Sequence, residues 1–211
     1  MNKNKFPLDG LWTDIDYMNK YADFTVDPDR YPDMKGFITQ TLNADGVQFI
    51  PILDAAISAD NADYNPSYNR GVTADAYIKS GYTNEPLVGE VWPGKAVYVN
   101  HLPDSKGAQF WKDELSAFYN NLVPFGGLWL DMNEASNFCD GECPLNQSYT
   151  TVDPTQQYNL LYTPGMRTLL NKSLSLNAYA KDGADMTYTQ YDVHSLFGYL
   201  EIKSTHDWMV S

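Results

Sequence analysis

Three apolar runs in this chain share one design, because each of them ends in an aspartate. They are residues 11–14 (LWTD), 49–54 (FIPILD) and 128–131 (LWLD). Runs of this kind are typical of strands buried on both faces of a parallel sheet, although periodicity alone does not exclude short buried helices. The runs therefore predict three parallel strands, which need long and usually helical connections between them.

The two connections between these runs have the spacing of amphipathic helices. The first, residues 32–42, contains the candidate N-cap Asp33 near its start and is followed by Gly46, a typical residue at a helix end. Its apolar side chains at helical spacing are Met34, Phe37, Ile38 and Leu42. The second, residues 105–122, places on one face Ala108, Trp111, Leu115, Phe118 and Leu122. The sequence thus predicts a strand, helix, strand, helix, strand unit of the α/β class.

The other segments are longer and more polar. Residues 55–104 exceed an ordinary connection and are rich in Asn, Gly, Pro and Tyr, which predicts a large structured insertion above the sheet. After the third strand we expect a Cys-containing loop at about residues 135–157, a helix at 157–174 and a last helix at 193–209. Cys139 and Cys143 are spaced so that they can close a small disulfide.

Composition restricts the partners of the chain. The 211 residues, 43% of them apolar, are enough to bury a sizeable core, and the net charge of −13 argues against binding to nucleic acid or to an anionic membrane. Sixteen Tyr and five Trp provide flat apolar faces that suit sugar rings, although most aromatic side chains fill cores. No stretch of about 18 apolar residues predicts a membrane span, and the first ten residues, MNKNKFPLDG, have no signal-peptide core. Sequons at Asn146 and Asn171 favour the secretory pathway.

The aspartates that end the three runs are the candidate functional residues. Parallel strands bring their carboxyl ends to one face, so we expect Asp14, Asp54 and Asp131 to gather there, although a single aspartate in such a place is as often a structural cap. Clustered carboxylates suit either glycoside hydrolysis or transfer assisted by a divalent metal. Asp14 and Asp16 formally make a D-x-D pair, which metal-dependent glycosyltransferases use. His101, His194 and His206 lack the spacing of a zinc site.

The segment GLWLDMNEASNF, residues 127–138, resembles the catalytic motif of glycoside hydrolase family 31, the α-glucosidases. Further segments that are similar to this family in order and spacing are LWTDIDYM at 11–18, FIPILDAAIS at 49–58, GEVWPG at 89–94 and YDVHSLFGYLEIKSTH at 191–206. The resemblance covers nearly the whole chain. Ala55 departs from it, because the family commonly has proline there, and we expect a local difference in the turn.

The resemblance implies a retaining mechanism with Asp131 as the nucleophile and Glu134 as a residue that orients or electrostatically supports the site. It implies that Asp14 binds hydroxyl groups of the terminal glucose. The other residues to which it gives a place in substrate binding are Ile15, Ile52, Asp54, Trp92, Trp129 and Met132. It implies no cofactor and no metal.

The same resemblance implies a partial (β/α)8 TIM barrel, about strands two to four with their helices, over residues 1–211. The implied substrates are α-glucosides such as maltose, starch or glycogen-like oligosaccharides, and the implied location is secreted or lumenal. Because the family takes its acid/base from later strands, we expect the 211 residues alone to lack hydrolytic activity. Two alternatives stay open, a non-catalytic sugar-binding fragment and a metal-dependent D-x-D glycosyltransferase.

Overall fold

Three strands of the chain form a parallel sheet. The computed structural model describes residues 7–60, 65–143 and 171–211. The strands in these parts are β1 (Gly10–Thr13), β2 (Gln48–Asp54), β3 (Ala56–Ser58), β4 (Val88–Val91), β5 (Gly94–Tyr98), β6 (Trp129–Asp131), β7 (Tyr179–Lys181) and β8 (Thr187–Thr189). The parallel sheet has the order β1-β2-β6, with Trp12 opposite Ile50 and Leu53 opposite Leu130. The predicted parallel α/β arrangement is thus confirmed for the apolar runs.

The first connection is only partly α-helical. The helices of the described residues are α1 (Met34–Phe37), α2 (Pro66–Ala74), α3 (Lys106–Asn121), α4 (Gln190–Val193) and α5 (Phe197–Met209). The side chain of Asp33 caps α1 by accepting from the amide of Gly36 at 3.0 Å, as predicted. Beyond α1 the helical turns widen into a π-helical segment, Ile38–Leu42. The helical part of this connection ends at Gly46, which has φ of 74°. The predicted burial of Phe37 was wrong, since this side chain is 44% exposed at the point where the winding changes.

The second connection is the regular helix α3. The hydroxyl of Ser105 caps it by accepting from the amide of Ala108 at 3.1 Å. Of the predicted buried face, Leu122 is the exception, with 38% exposure. The helix ends at Asn121 and the backbone of Leu122 leaves helical geometry, so the next residue, Val123, is buried in its place.

Residues 55–104 hold a second sheet in the order β3-β5-β4, with antiparallel pairs throughout, and the helix α2. Its aliphatic and aromatic side chains form a second core with residues of α5. The first core lies between the parallel sheet and α3, where Phe49, Trp111 and Phe118 are buried. The strand β2 runs into β3 through Ala55 alone, so the insertion starts directly at the edge where Asp54 lies.

The last part of the described chain consists of the β7-β8 hairpin, α4, a 3-10 turn at His194–Leu196 and α5. The helix predicted for residues 193–209 is confirmed, although the 3-10 turn separates its first residues from α5. Most of the helix predicted for residues 157–174 lies outside the described residues. Its described end, residues 171–174, is a turn that closes in a bridge between Leu174 and Gly141, so the helix prediction was wrong there.

Candidate active site

The parallel register brings three aspartates to one edge of the sheet. Asp54 lies directly opposite Asp131, and Asp14 follows the last residue of β1. Asp14 is exposed, Asp131 is partly buried and Asp54 is 1% exposed. Burial, together with the smaller effects of the charges of Asp131 and Asp14, raises the pKa of Asp54 to about 7. The three carboxyl groups therefore form one electrostatic cluster.

Asp54 is the buried centre of this cluster. Its amide donates to the Oδ1 of Asp23 at 3.0 Å, whereas neither of its own carboxyl oxygens meets a hydrogen-bond donor among the described residues. With a pKa of about 7, the group is partly protonated near neutral pH. A neutral carboxyl group can both donate and accept hydrogen bonds, as the hydroxyl groups of a sugar require.

Sequence reasoning missed two buried neighbours of Asp54. Asp23 is 1% exposed, and burial together with the charge of Asp54 raises its pKa well above the usual range. The hydroxyl of Tyr17 donates to the carbonyl oxygen of Ile52 at 2.7 Å and so holds β2 just before Asp54. The residues around Asp23 in the sequence have no pattern that distinguishes it from an exposed aspartate in a surface loop.

The turn after β6 has an unusual backbone. Met132 has φ of 59°, a left-handed conformation that costs a non-glycine residue of order 1 kcal/mol or more, and its carbonyl oxygen accepts from the amide of Ser136 at 2.8 Å. The turn places Glu134 at the exposed surface while Asp131 stays partly buried. Asp131 is thus fixed at the end of a strand, as a group that must meet a substrate with little freedom should be.

Trp12 and Trp129 each precede a clustered aspartate by two residues along the chain. Trp12 and Trp129 meet edge to face, with ring centroids 5.0 Å apart, and Trp12 is 66% exposed. Trp92, in the turn between β4 and β5, packs edge to face on Phe138 at 5.2 Å. Ile15 is partly buried after Asp14, whose Oδ1 accepts from the Ile15 amide at 2.7 Å.

Ile52, in contrast to these aromatic side chains, is buried in the core with 1% exposure.

The loop after Asp131 is attached to the insertion through Asn137, which is fully buried. Its Oδ1 accepts from the amide of Glu90 in β4 at 2.9 Å and from the amide of Cys139 at 3.1 Å. The hydroxyl of Tyr98 in β5 donates to the carbonyl oxygen of Ser136 at 2.8 Å. These bonds join the loop to the antiparallel sheet, a connection that no spacing in the sequence indicated.

The same loop contains the disulfide between Cys139 and Cys143, whose Cα atoms lie 5.9 Å apart. Glu90 lies close enough to both sulfurs for the three to count as possible metal ligands, but the sulfurs are bonded to each other and are not thiolates. In the described part of the chain, no other group of acidic, His and Cys side chains has ligand spacing, so Asp14 and Asp16 are not in one.

Two of the histidines, His101 and His206, differ in burial. His101 is buried between the rings of Trp111 and Phe197, at 5.2 Å and 5.3 Å, and burial lowers its pKa to about 3. His206 is exposed on α5, 3.9 Å from Asp207. His101 is therefore a neutral core residue.

Two cavities lie among the described residues. A polar cleft of about 420 Å³ has a lining that includes Asp75, Lys79 and Tyr179. An apolar groove of about 540 Å³ runs along β6, with Trp12, Trp129 and Met209 in its lining. Neither is lined by Asp14, Asp54 or Asp131. Register and charge, and not cavity shape, locate the candidate site.

A fourth carboxyl group reaches the cluster from α5. Glu201 is fully buried, and burial raises its pKa to about 8. The amide of Asn133 lowers this pKa, whereas the charges of Asp54 and Asp131 raise it. Helical periodicity carried the signal for this residue, because Glu201 shares the buried stripe of α5 with Phe197, Leu200, Ser204 and Thr205.

Comparison with known proteins places the whole chain in one family. The model of the TIM-barrel domain of glycosyl hydrolases family 31 matches residues 1–211. A probable α-glucosidase of Oryza sativa subsp. japonica is 38% identical over 97% of the chain, and the lysosomal α-glucosidase of Bos taurus is 32% identical over all of it. The chain spans only 22% and 21% of those two proteins.

Solved structures agree in fold. The DNJ-bound α subunit of glucosidase II superposes with a TM-score of 0.73 at 21% identity, over 100% of this chain and 19% of that one. A family 31 α-glucosidase from Bacteroides thetaiotaomicron superposes with a TM-score of 0.65 at 20% identity, over 99% of this chain and 27% of that one. In the described part of the chain, no helix has the length and apolar character to cross a bilayer.

Proposed function

The chain belongs to glycosyl hydrolase family 31, and from this premise we propose that it is part of an enzyme that hydrolyses terminal α-linked glucose with retention of configuration. The observation that carries the proposal is Asp131, held at a strand end beside a buried Asp54 that is partly protonated near neutral pH, since its pKa is raised to about 7. This partial protonation reduces the negative charge next to Asp131.

In the proposed first step, a carboxylate oxygen of Asp131 attacks the anomeric carbon while the bond from that carbon to the leaving oxygen breaks. An acid protonates the leaving oxygen, and a glucosyl ester of Asp131 remains. In the second step, water gives a proton to the conjugate base of that acid and displaces Asp131 from the sugar. The acid/base is a second carboxyl group about 5–5.5 Å from the nucleophile in retaining enzymes.

The other site residues have roles in holding the glucose and the nucleophile. Asp14 is exposed at the same edge and is suited to accept hydrogen bonds from sugar hydroxyls, which are strong when the acceptor is charged. We assign to the buried Asp54 a role in hydrogen bonding to the same hydroxyl groups. The apolar walls are Ile15, Trp92, Trp129 and Met132, whereas Ile52, which is buried in the core, supports the strand β2 that ends in Asp54. Glu134 is exposed and acts on the site electrostatically.

We also propose α-glucosides such as maltose, starch or glycogen-like oligosaccharides as the substrates, and a secreted or lumenal location. A lysosomal α-glucosidase among the relatives and an ER glucosidase II among the similar structures support this location. The disulfide between Cys139 and Cys143 supports it as well, because disulfides persist in oxidising compartments.

The experiment is to trap the ester with 5-fluoro-α-glucosyl fluoride and find the labelled residue by peptide mass spectrometry. Fluoride leaves without protonation, so the first step proceeds without the acid, and the ring fluorine slows the hydrolysis of the ester. We expect one label per chain on Asp131 and none in Asp131→Asn. The matched control Asp16→Asn, an exposed aspartate two residues from Asp14, should be labelled like the parent. A label on another carboxylate, or on the Asp131→Asn protein, contradicts the assignment.

Further assays separate the alternatives. A sugar-binding protein without catalysis would bind maltose in calorimetry and acquire no label. A metal-dependent transferase would lose activity with a chelator and regain it with manganese. For the 211 residues alone we propose no turnover of maltose, and turnover that Asp131→Asn abolishes would contradict this.

A further inference from the structure

Glu201 is an unusual residue for the middle of a helix in a protein core. It is fully buried, and neither of its carboxyl oxygens makes a hydrogen bond of good geometry to the described residues. The groups close enough to change its ionisation are the amide of Asn133 and the carboxyl groups of Asp23, Asp54 and Asp131. A carboxyl group buried among three others destabilises the fold, so its presence needs a different explanation from packing.

The helix α5 approaches the loop after Asp131 at two positions that lie three residues apart. Three residues before Glu201 on α5 lies Gly198, at which a Cβ atom would come within 2.7 Å of the carbonyl oxygen of Asn133. The same Cβ would lie 3.3 Å from the Asn133 side chain. Positions three apart lie on one face of a helix, so Gly198 and Glu201 meet Asn133 together. The absence of a side chain at Gly198 is what lets the helix approach this closely.

Asn133 is separated from Asp131 only by Met132, the residue with the left-handed backbone. A shift of Asn133 therefore moves the turn that sets the direction of the Asp131 carboxylate. On the basis of the proposed function, we propose that Glu201 is a positioning residue for glycosyl transfer, which acts by holding Asn133 and through it the orientation of Asp131.

The charge state of Glu201 fits this role. Burial raises its pKa to about 8, so the group is largely neutral at lower pH and adds little charge beside Asp131. Above this pH, ionisation places a further negative charge near Asp131 and Asp54. The surroundings of Asp131 without this added charge are therefore present at acidic and neutral pH and are lost as the pH rises through about 8.

The test measures the rate of Asp131 labelling by 5-fluoro-α-glucosyl fluoride between about pH 5 and 9 in the purified protein. In the parent we expect the rate to fall above about pH 8. Glu201→Gln keeps a neutral acceptor of the same shape, so its rate should stay within about threefold at low pH and show no fall near pH 8. Glu201→Ala and Asn133→Ala should each be slower by about tenfold or more, since small displacements of reacting groups have effects of this size. Their double variant should be no slower than either single variant.

Glu114→Gln is the matched control, because Glu114 is also a buried glutamate, on the neighbouring α3, but pairs with Arg70 far from the aspartates in sequence. It should lower the melting temperature without changing the pH profile. Rates for Glu201→Ala within twofold of the parent, or a fall near pH 8 that persists in Glu201→Gln, overturn the proposal. Because Glu201→Gln preserves shape, the pH profile stays measurable even if Glu201→Ala does not fold. A parent protein that acquires no label on Asp131 is instead a failure of the proposed function.

Discussion

Replacement of Asp54 by Asn should stabilise the protein at neutral pH and not at acidic pH. The pKa of Asp54 is about 7 in the folded chain, against its ordinary value of 3.8. Well below pH 3.8 the group is protonated in both the folded and the unfolded chain and has no effect on stability. Between the two pKa values the unfolded chain releases its proton while the folded chain keeps it, so stability falls as the pH rises. Since Asp54 is 1% exposed, solvent screens little of this cost.

The size of the effect follows from the interval between the two pKa values. Each pH unit in this interval costs about 1.4 kcal/mol, so wild-type protein should lose about 4 kcal/mol at pH 7 relative to Asp54→Asn. Urea unfolding of both proteins at a series of pH values from about 4 to 7.5 measures this difference. The exposed Asp16→Asn is the control for the Asp to Asn exchange itself. A free energy difference for Asp54→Asn that is independent of pH, or that falls towards neutral pH, would refute the reasoning.

Two other substitutions test contacts between elements. Arg70→Met removes the guanidinium whose Nε lies 2.6 Å from Glu114, and it should lower the free energy of unfolding by about 1–3 kcal/mol, less than for a fully buried pair because half of the Arg70 side chain is exposed. In urea unfolding, the double variant with Glu114→Gln should recover part of this loss. A strictly additive result contradicts the pairing. Trp111→Phe removes the hydrogen bond of 2.8 Å from the indole to Thr205, which joins α3 to α5, and should lower the free energy of unfolding by about 1–3 kcal/mol. The control Trp92→Phe changes a half-exposed residue and should lower it by less. Equal losses would argue against a contribution of the buried bond.

The parallel sheet and its aspartate edge could be predicted because both follow from local sequence. Apolar runs that end in Asp14, Asp54 and Asp131 fix strand direction, and parallel direction alone brings the three carboxyl groups together. Helix caps were predictable for the same reason, since Asp33 and Ser105 bond to amides three residues away.

The rest of the site depends on contacts between distant segments. Asp23 and Glu201 meet Asp54 from a loop and from a helix far along the chain, and no local pattern encodes such a meeting. The burial of Phe37 and Leu122 was mispredicted because a regular helical period was extended across a π-helical segment in one case and past a helix end in the other. For Glu201, helical periodicity predicts the burial of the side chain but not the residues that it meets.

Asn137 has a consequence for engineering this scaffold. Its side chain joins the loop after Asp131 to the backbone of β4, and a Cβ at Gly89 would come within 2.8 Å of its Oδ1. An exchange of the insertion between relatives, made to alter substrate choice, would have to transfer Gly89 together with the backbone amide of position 90 that donates to Asn137. An exchange of residues 55–104 alone is therefore insufficient. The loop that contains Ser136 and Asn137 must be compatible with the exchanged segment, because hydrogen bonds join the two.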